Sequence, residues 1–206
     1  MSRLLRTHAF APCSYANGPG KRAVLWVQGC TFNCPGCFNP LTHDPHGGRD
    51  YTVDELHEKI RHLYDVRRDP IEGITISGGE PLMQPKALLN LVGGLRNRLP
   101  DLSIILFTGY GMEEACEKVW GAGTIFGECD VIIAGRYDQS KVTSGPKAGN
   151  LVGSMNQQVA FRTRRYMIAD LETVPSAEII ISANGNVMHS GIHPYREIPE
   201  VKVCHE

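Results

Sequence analysis

Three of the chain's seven cysteines, Cys30, Cys34 and Cys37, stand at C-x3-C-x2-C spacing inside the stretch VLWVQGCTFNCPGCFNP, Val24 to Pro40. Three thiolates can hold three irons of a 4Fe–4S cube and leave the fourth iron open to an outside ligand. An electron-transfer cluster is instead closed by four cysteines. The spacing also admits zinc, with His43 or His46 as a fourth ligand. Three structural thiols are a further reading, a weaker one because thiols in a surface loop are neither buried nor inert.

A second segment could serve a ligand of such an iron. ISGGEP contains Gly78 and Gly79, which let a ligand approach the backbone, and Glu80, an acceptor for an ammonium group. Gly-Gly followed by Glu-Pro is also an ordinary turn into a helix, with an acid near the N-terminus and an early proline. The weight lies in the two segments occurring together.

Both segments need elements to hold them, and the apolar pattern supplies these. AVLWVQG reads as a buried strand delivering the cysteine loop, with the N-terminal segment as an added edge strand. THDPHGGRD reads as loop. YTVDELHEKIRHLYDVRR opens on a capping box, Thr52 to Glu55, and places Leu56, Ile60 and Leu63 on one helical face. IEGITISGGE and LSIILFTGYG are strands running into glycine, and QPKALLNLVGGLRNRLP is a helix despite Gly93 and Gly94. MEEACEKVWG is a shorter helix and DVIIAG another buried strand. Strand and helix in alternation predict an α/β fold of βα units with mainly parallel strands. Residues Arg136 to Gln157 form a polar, glycine-rich insertion of a length that suits substrate or partner contact. RTRRY, from Arg162, reads as the solvated face of a strand. AEIIISANGNVMHS, with Asn184-Gly185 between two apolar runs, predicts a closing β-hairpin.

Composition narrows the classes. At 206 residues, with 42% apolar and 21% charged residues, the chain suits one globular domain spanning 1–206, with a core of about 17–158 and a C-terminal extension of about 159–206. A formal net charge of −1 with no basic face argues against nucleic acid. No apolar run reaches membrane-spanning length and the N-terminus lacks a signal-peptide pattern, so a cytoplasmic, membrane-free protein is expected. An odd number of cysteines, with Cys13, Cys116, Cys129 and Cys204 scattered, is a poor disulfide framework and fits a reducing compartment.

CTFNCPGC followed by SGGEP resembles the radical S-adenosylmethionine superfamily, whose cysteine loop and Gly-Gly-Glu-Pro segment follow successive strands of a partial (βα) barrel. NGPGKR, Asn17 to Arg22, resembles the Asp-Gly-Pro-Gly-x-Arg segment of enzymes that activate glycyl-radical enzymes. CPGCFN, FTGYG and GSMNQQ resemble segments of the anaerobic ribonucleotide reductase activases. The likeness spans most of Asn17 to Gln158. Two positions depart from it: Asn17 stands where the signature has Asp, and Ala134 where the activase pattern carries another Asp.

The resemblance implies that Cys30, Cys34 and Cys37 ligate a 4Fe–4S cluster and that S-adenosyl-L-methionine chelates the open iron. Gly78, Gly79 and Glu80 would receive its amino group. Gly36 and Phe38 would lie by the adenine, Thr108, Gly109 and Tyr110 by the nucleoside, and Asn156 and Gln157 would offer polar contacts, unless those two only make local turns. Flavodoxin or ferredoxin would supply electrons, and a glycine of a partner glycyl-radical enzyme would lose hydrogen, anaerobic ribonucleotide reductase being the leading target. One alternative is a radical enzyme acting directly on a small molecule or peptide. The other is a noncatalytic iron–sulfur or zinc module.

Overall fold

The computed structural model describes residues 4–142, 151–181, 185 and 187–191. Its frame is a seven-stranded mixed sheet. In chain order the strands are β1 (Leu4–Ser14), β2 (Arg22–Val27), β3 (Arg49–Thr52), β4 (Gly73–Gly78), β5 (Ser103–Thr108), β6 (Val131–Ala134) and β7 (Gln158–Phe161), arranged β3-β1-β2-β4-β5-β6-β7. The four central strands β2, β4, β5 and β6 are mutually parallel, while β1, β3 and β7 run antiparallel to their neighbours. Parallel neighbours need crossovers, and helices α1 (Val53–Tyr64), α2 (Pro85–Arg98), α3 (Met112–Lys118) and α4 (Ala122–Glu128) provide them. A separate two-stranded sheet, β8 (Ala177–Ile181) with β9 (Val187–Gly191), follows α5 (Ile168–Glu172).

Side-chain alternation along the strands divides the core. Leu25, Val27, Ile74, Ile76, Ile104 and Leu106 share one buried cluster with Leu56, Ile60, Leu88, Leu91 and Phe126 of the helices. The opposite face of the sheet is covered by the C-terminal part of the chain. Ile105, Val131 and Ile133 pack against Leu151, Val152, Tyr166, Leu171 and Val174. Ala11, Val24 and Trp26 pack against Ile180 and Met188 of the hairpin.

At the N-terminal end of β2, Arg22 is fully buried, with no carboxylate of the described residues in direct contact with it. Its guanidinium donates to Thr75 Oγ1 and Ser103 Oγ at 2.8 Å each and to the Ile74 carbonyl, so it ties β2, β4 and β5 together. Tyr166 Oη stands 3.3 Å from Arg22 Nη1 and donates to Glu72, which brings a negative charge one hydroxyl away.

The capping box forms as expected: Thr52 Oγ1 accepts from Glu55 N, and Glu55 accepts from Thr52 N. Several elements escaped the sequence. Arg49 to Thr52, read as loop and helix entry, pairs with β1 as the edge strand β3, so β1 lies one strand inside the edge. Strand β7 and helices α4 and α5 are too short for a periodic signal. RTRRY is a bend rather than a strand face. Arg165 Nη1 donates to Asp101 O, and Tyr166 is buried. Cys13 is disulfide-bonded, against the expectation from scattered cysteines of a poor disulfide framework. The hairpin's Asn184, residues 143–150 of the insertion and Cys204 lie outside the described residues. No helix among the described residues is long and apolar enough to cross a membrane.

The paired glycines of α2 have opposite surroundings. A Cβ at Gly93 would meet nothing within 4 Å, whereas one at Gly94 would collide with the His57 ring. That ring is fixed on both sides, with Nε2 donating to Leu91 O at 3.0 Å and Nδ1 accepting from Arg98 at 2.7 Å. Gly93→Ala should therefore raise stability by roughly 0.5–1 kcal/mol through helix propensity. Gly94→Ala should lower it by about 1–2 kcal/mol because the clash exceeds that gain. Urea unfolding of the two variants checks both signs.

Candidate active site

The parallel strands β2, β4, β5 and β6 present their C-terminal ends on one side of the sheet, where open α/β sheets bind ligands. The cysteine loop grows from the end of β2. Its base is closed by Gly29 N donating to Thr42 O at 2.8 Å and Cys30 N to His43 O at 3.1 Å. Gln28 Nε2 braces the return limb by donating to the carbonyls of Leu41 and Asp44. Inside the loop, Asn33 (φ 51°) and Gly36 (φ 72°) adopt left-handed conformations, and Cys37 N donates to Cys34 O. Residues tolerant of that region are what let the chain reverse so tightly.

All three loop cysteines are free and half-buried. Burial pushes the Cys30 and Cys37 thiols up, and backbone N–H groups offset part of this, from Phe32 and Asn33 at Cys30 and from Asn39 at Cys37. Asn39 N lies 3.4 Å from Cys37 Sγ. Backbone donors aimed at sulfur favour the thiolate, the form that ligates iron.

The next strand end is fused to the base of that loop. Gly79 N donates to Val27 O and Glu80 N to Gly29 O, both at 2.9 Å. At Gly78 (φ +105°) a Cβ would meet Val27 N at 2.5 Å, and at Gly79 it would collide with Gly29 O. The two glycines are thus required by the approach of β2's own backbone, a reason the sequence reading did not give. Glu80 is 1% exposed. Its Oε1 accepts from Leu82 N and Thr108 Oγ1 at 2.8 Å each, and its Oε2 from Gly109 N at 2.6 Å, which joins the end of β5 to the same point.

Aromatic contacts complete the rim. Phe32 meets Tyr110 edge to face at 4.8 Å, and the Arg136 guanidinium lies 4.3 Å over the Phe32 ring. Arg136 is held in turn by both oxygens of Glu114, and Phe38 packs on Tyr137 at 4.8 Å. Paired with Arg136 and Lys118, Glu114 is drawn down to about 2.

One cavity of about 390 Å³ is lined by Cys30, Cys34, Cys37, Phe38, Gly78, Gly79, Glu80, Thr108 and Gly109. Gly36, Tyr110 and Asn156 are not among its lining residues. Gly36 faces Gln139 and Tyr137, and Tyr110 reaches the cavity only through Phe32. Asn156 donates to Arg136 O at 2.7 Å, a local bond, and borders a separate depression with Pro35 and Gln139. Gln157 lines the cavity, but its amide is engaged by Gly153 N, Ser154 N and Gly135 O. His43 is also on the wall; among the described residues no three His, Cys, Asp or Glu side chains gather for a single metal ion. Asn17, Trp26, Phe32, Arg136 and the hairpin residues Met188 and Ser190 line the cavity without having been assigned to it. The signal for Arg136 was its place just after Gly135, the strand-then-glycine pattern of the other strand ends.

A family model described as a 4Fe-4S single cluster domain matches residues 16–160. The anaerobic ribonucleoside-triphosphate reductase-activating protein of Enterobacteria phage T4 is 35% identical over 134 residues, 64% of this chain and 81% of the relative. Its namesake from Vibrio cholerae serotype O1 is 34% identical over 143 residues, 67% of this chain and 88% of the relative. The chain belongs to the radical S-adenosylmethionine activases of glycyl-radical enzymes. A further relative of this activase is the pyruvate formate-lyase 1-activating enzyme of Escherichia coli K12, 38% identical over 87 residues, 41% of this chain and 34% of the relative. The cofactors of the activase are a 4Fe–4S cluster and S-adenosylmethionine. The residues present fit them, with three free thiols, sulfur-directed backbone donors and a carboxylate around one cavity.

Burial pushes the Glu80 carboxyl up to about 7, against three donors that pull it down. A folded-state value above the ordinary 4.5 means that the native chain binds the extra proton between those limits, so stability falls as pH rises from about 4.5 to 7. The contribution is on the order of 3 kcal/mol. Glu80→Gln, whose amide cannot accept at both oxygens, should be less stable at pH 5 and lose this slope. Urea midpoints of wild type and variant from pH 4.5 to 7.5 check it.

Proposed function

We propose that this activase serves an anaerobic ribonucleoside-triphosphate reductase. The shared cavity, in which the three thiols of the β2 loop and the Gly78–Glu80 turn meet, supports the activase chemistry, and the choice of partner is carried by the relatives. The relatives matched over most of their own length are named for that reductase, while the pyruvate formate-lyase activase is matched over a third of its length.

In this reading Cys30, Cys34 and Cys37 hold the cluster, and the turn at Gly78, Gly79 and Glu80 receives the amino group of S-adenosylmethionine. A bound, reduced cluster would supply the one electron for reductive cleavage of S-adenosylmethionine, the chemistry by which hydrogen would be removed from a glycine Cα of the partner. The protein's own part is placement and exclusion of water. Trp26, Phe107, Ile133 and Leu151 give the cavity apolar walls, and Phe38 with Tyr137 and Phe32 with Arg136 form its rim. Thr108 and Gly109, fixed by Glu80, border the nucleoside, with Tyr110 against Phe32 and Gly36 against Tyr137, the ring on which Phe38 packs. Asn156 acts by holding the Arg136 backbone. The finer fold reading is a partial (βα) barrel, supported by the C-terminal segment packing into one face of the sheet. Flavodoxin or ferredoxin serves as electron donor, and the protein works in the cytoplasm without membrane or nucleic acid.

The test is partner choice. The anaerobically reconstituted protein, with S-adenosylmethionine and a chemical reductant, should raise a glycyl-radical electron paramagnetic resonance signal on anaerobic ribonucleotide reductase. It should raise less than a tenth of that on pyruvate formate-lyase, and Cys34→Ala should abolish both. A stronger signal on the lyase would overturn the assignment.

A further inference from the structure

Resting on the activase reading only for the identity of the substrate, we propose that Glu178 of the C-terminal hairpin orients the Asn17 side-chain amide. In that orientation Asn17 Oδ1 accepts an N–H donor of the molecule bound in the cavity. Glu178 is thereby a positioning residue. An amide has one acceptor oxygen where the Asp of the related signature would have two, so the orientation of Asn17 decides whether an acceptor faces the cavity.

The argument is a chain of donors. Glu178 is buried, and both of its carboxylate oxygens are engaged, Oε2 by Tyr15 N at 2.8 Å and Oε1 by the Ser14 hydroxyl. A carboxylate only accepts, so Ser14 must give it the one hydroxyl hydrogen it has. Ser14 Oγ then has only acceptor capacity left, and it accepts from Asn17 Nδ2 at 2.8 Å. The second amide hydrogen of Asn17 goes to Ser190 Oγ on β9. With both hydrogens directed to Ser14 and Ser190, the remaining polar atom of the side chain is Oδ1, and no described residue donates to it. Asn17 is 7% exposed and lines the same cavity as the three cysteines, as does Ser190.

The backbone of position 17 is equally fixed, since its carbonyl accepts from Thr75 Oγ1 at 2.7 Å. Both groups that hold the amide, Glu178 through Ser14 and Ser190 directly, belong to a hairpin beyond the 16–160 segment matched by the family model. That hairpin is seated by Ile180 and Met188 against Ala11, Val24 and Trp26. Ser14, Tyr15 and Asn17 thus form one polar unit with Glu178 of β8 and Ser190 of β9. The N–H donor it accepts is either a backbone amide of the partner's glycine segment or the ammonium of S-adenosylmethionine.

Glu178→Gln reverses the chain. Its carbonyl must face Tyr15 N, its amide then donates to Ser14, Ser14 donates to Asn17, and Asn17 turns Nδ2 toward the cavity. Asn17→Asp in that background restores an acceptor. With the reconstituted enzyme, Glu178→Gln should raise either the KM for anaerobic ribonucleotide reductase or the Kd for S-adenosylmethionine about tenfold, one hydrogen bond's worth, with kcat little changed. Whichever constant moves names the donor. The double variant, Asn17→Asp with Glu178→Gln, should return it to within about threefold of wild type. Asn17→Asp alone sets two carboxylates on the single hydrogen of Ser14 and should lower the melting temperature, a loss that disappears in the double variant. Should Glu178→Gln not fold, Ser14→Ala breaks the chain at its middle and should raise the same constant.

If neither constant moves, if Asn17→Asp fails to restore one that has moved, or if the unfolding effects of the two substitutions simply add, the inference is overturned. Failure of wild type to produce any glycyl radical would instead strike the activase reading, and the S-adenosylmethionine titration and unfolding cycle would still decide this one.

Discussion

Everything at the site depends on the backbone contact between Gly78–Glu80 and the root of the cysteine loop. Two hydrogen bonds, Gly79 N to Val27 O and Glu80 N to Gly29 O, carry the pairing of β2 and β4 past the end of the sheet. A side chain at either glycine would push the strand ends apart. The Glu80 carboxylate then extends the joint to β5 through Thr108 and Gly109. The aromatic side chains of the three-thiol loop, Phe32 and Phe38, are only partly buried and pack at the rim. The loop is placed because three strand ends converge on one buried acid.

The far end of the same strands is held differently. Arg22 donates across β2, β4 and β5 to hydroxyl and carbonyl oxygens, and burial lowers its affinity for the proton, partly offset by Tyr166 and Glu72. A buried cation without a direct carboxylate is costly in isolation. Here several oriented oxygens and a hydroxyl-bridged acid share its charge. Between these ends the helical side of the sheet is packed into one buried apolar cluster. The opposite side is filled by Leu151, Val152, Tyr166, Leu171, Val174, Ile180 and Met188, of which Leu151 and Met188 also form part of the cavity wall.

Much of this was legible in the residues. The cysteine spacing, the strand-then-glycine repeats and the Thr52–Glu55 capping box each follow from a local rule, and each points to the same βα order. What was not legible depends on contacts distant in sequence. Gly78 and Gly79 looked like room for a ligand, and their immediate neighbour is the Val27–Gly29 backbone. Glu80 looked like a free acceptor, and three donors from Leu82, Thr108 and Gly109 surround it. Arg136 read as the start of a polar loop, yet its stacking on Phe32 needs a partner more than a hundred positions away, which no period reveals. RTRRY looked solvated because five polar and aromatic letters carry no record that Tyr166 turns inward to Arg22 and Glu72.

The central claim is that Cys30, Cys34 and Cys37 hold a cluster whose fourth iron binds S-adenosylmethionine. Its most direct measurement is spectroscopic: reconstitute anaerobically, reduce, and record the electron–nuclear double resonance of the cluster with S-adenosylmethionine labelled with ¹⁵N at the amino group and ¹⁷O at the carboxylate. The account predicts hyperfine coupling to both labels in wild type, and 5′-deoxyadenosine on turnover. A reduced 4Fe–4S cluster that couples to neither label and yields no 5′-deoxyadenosine would contradict it.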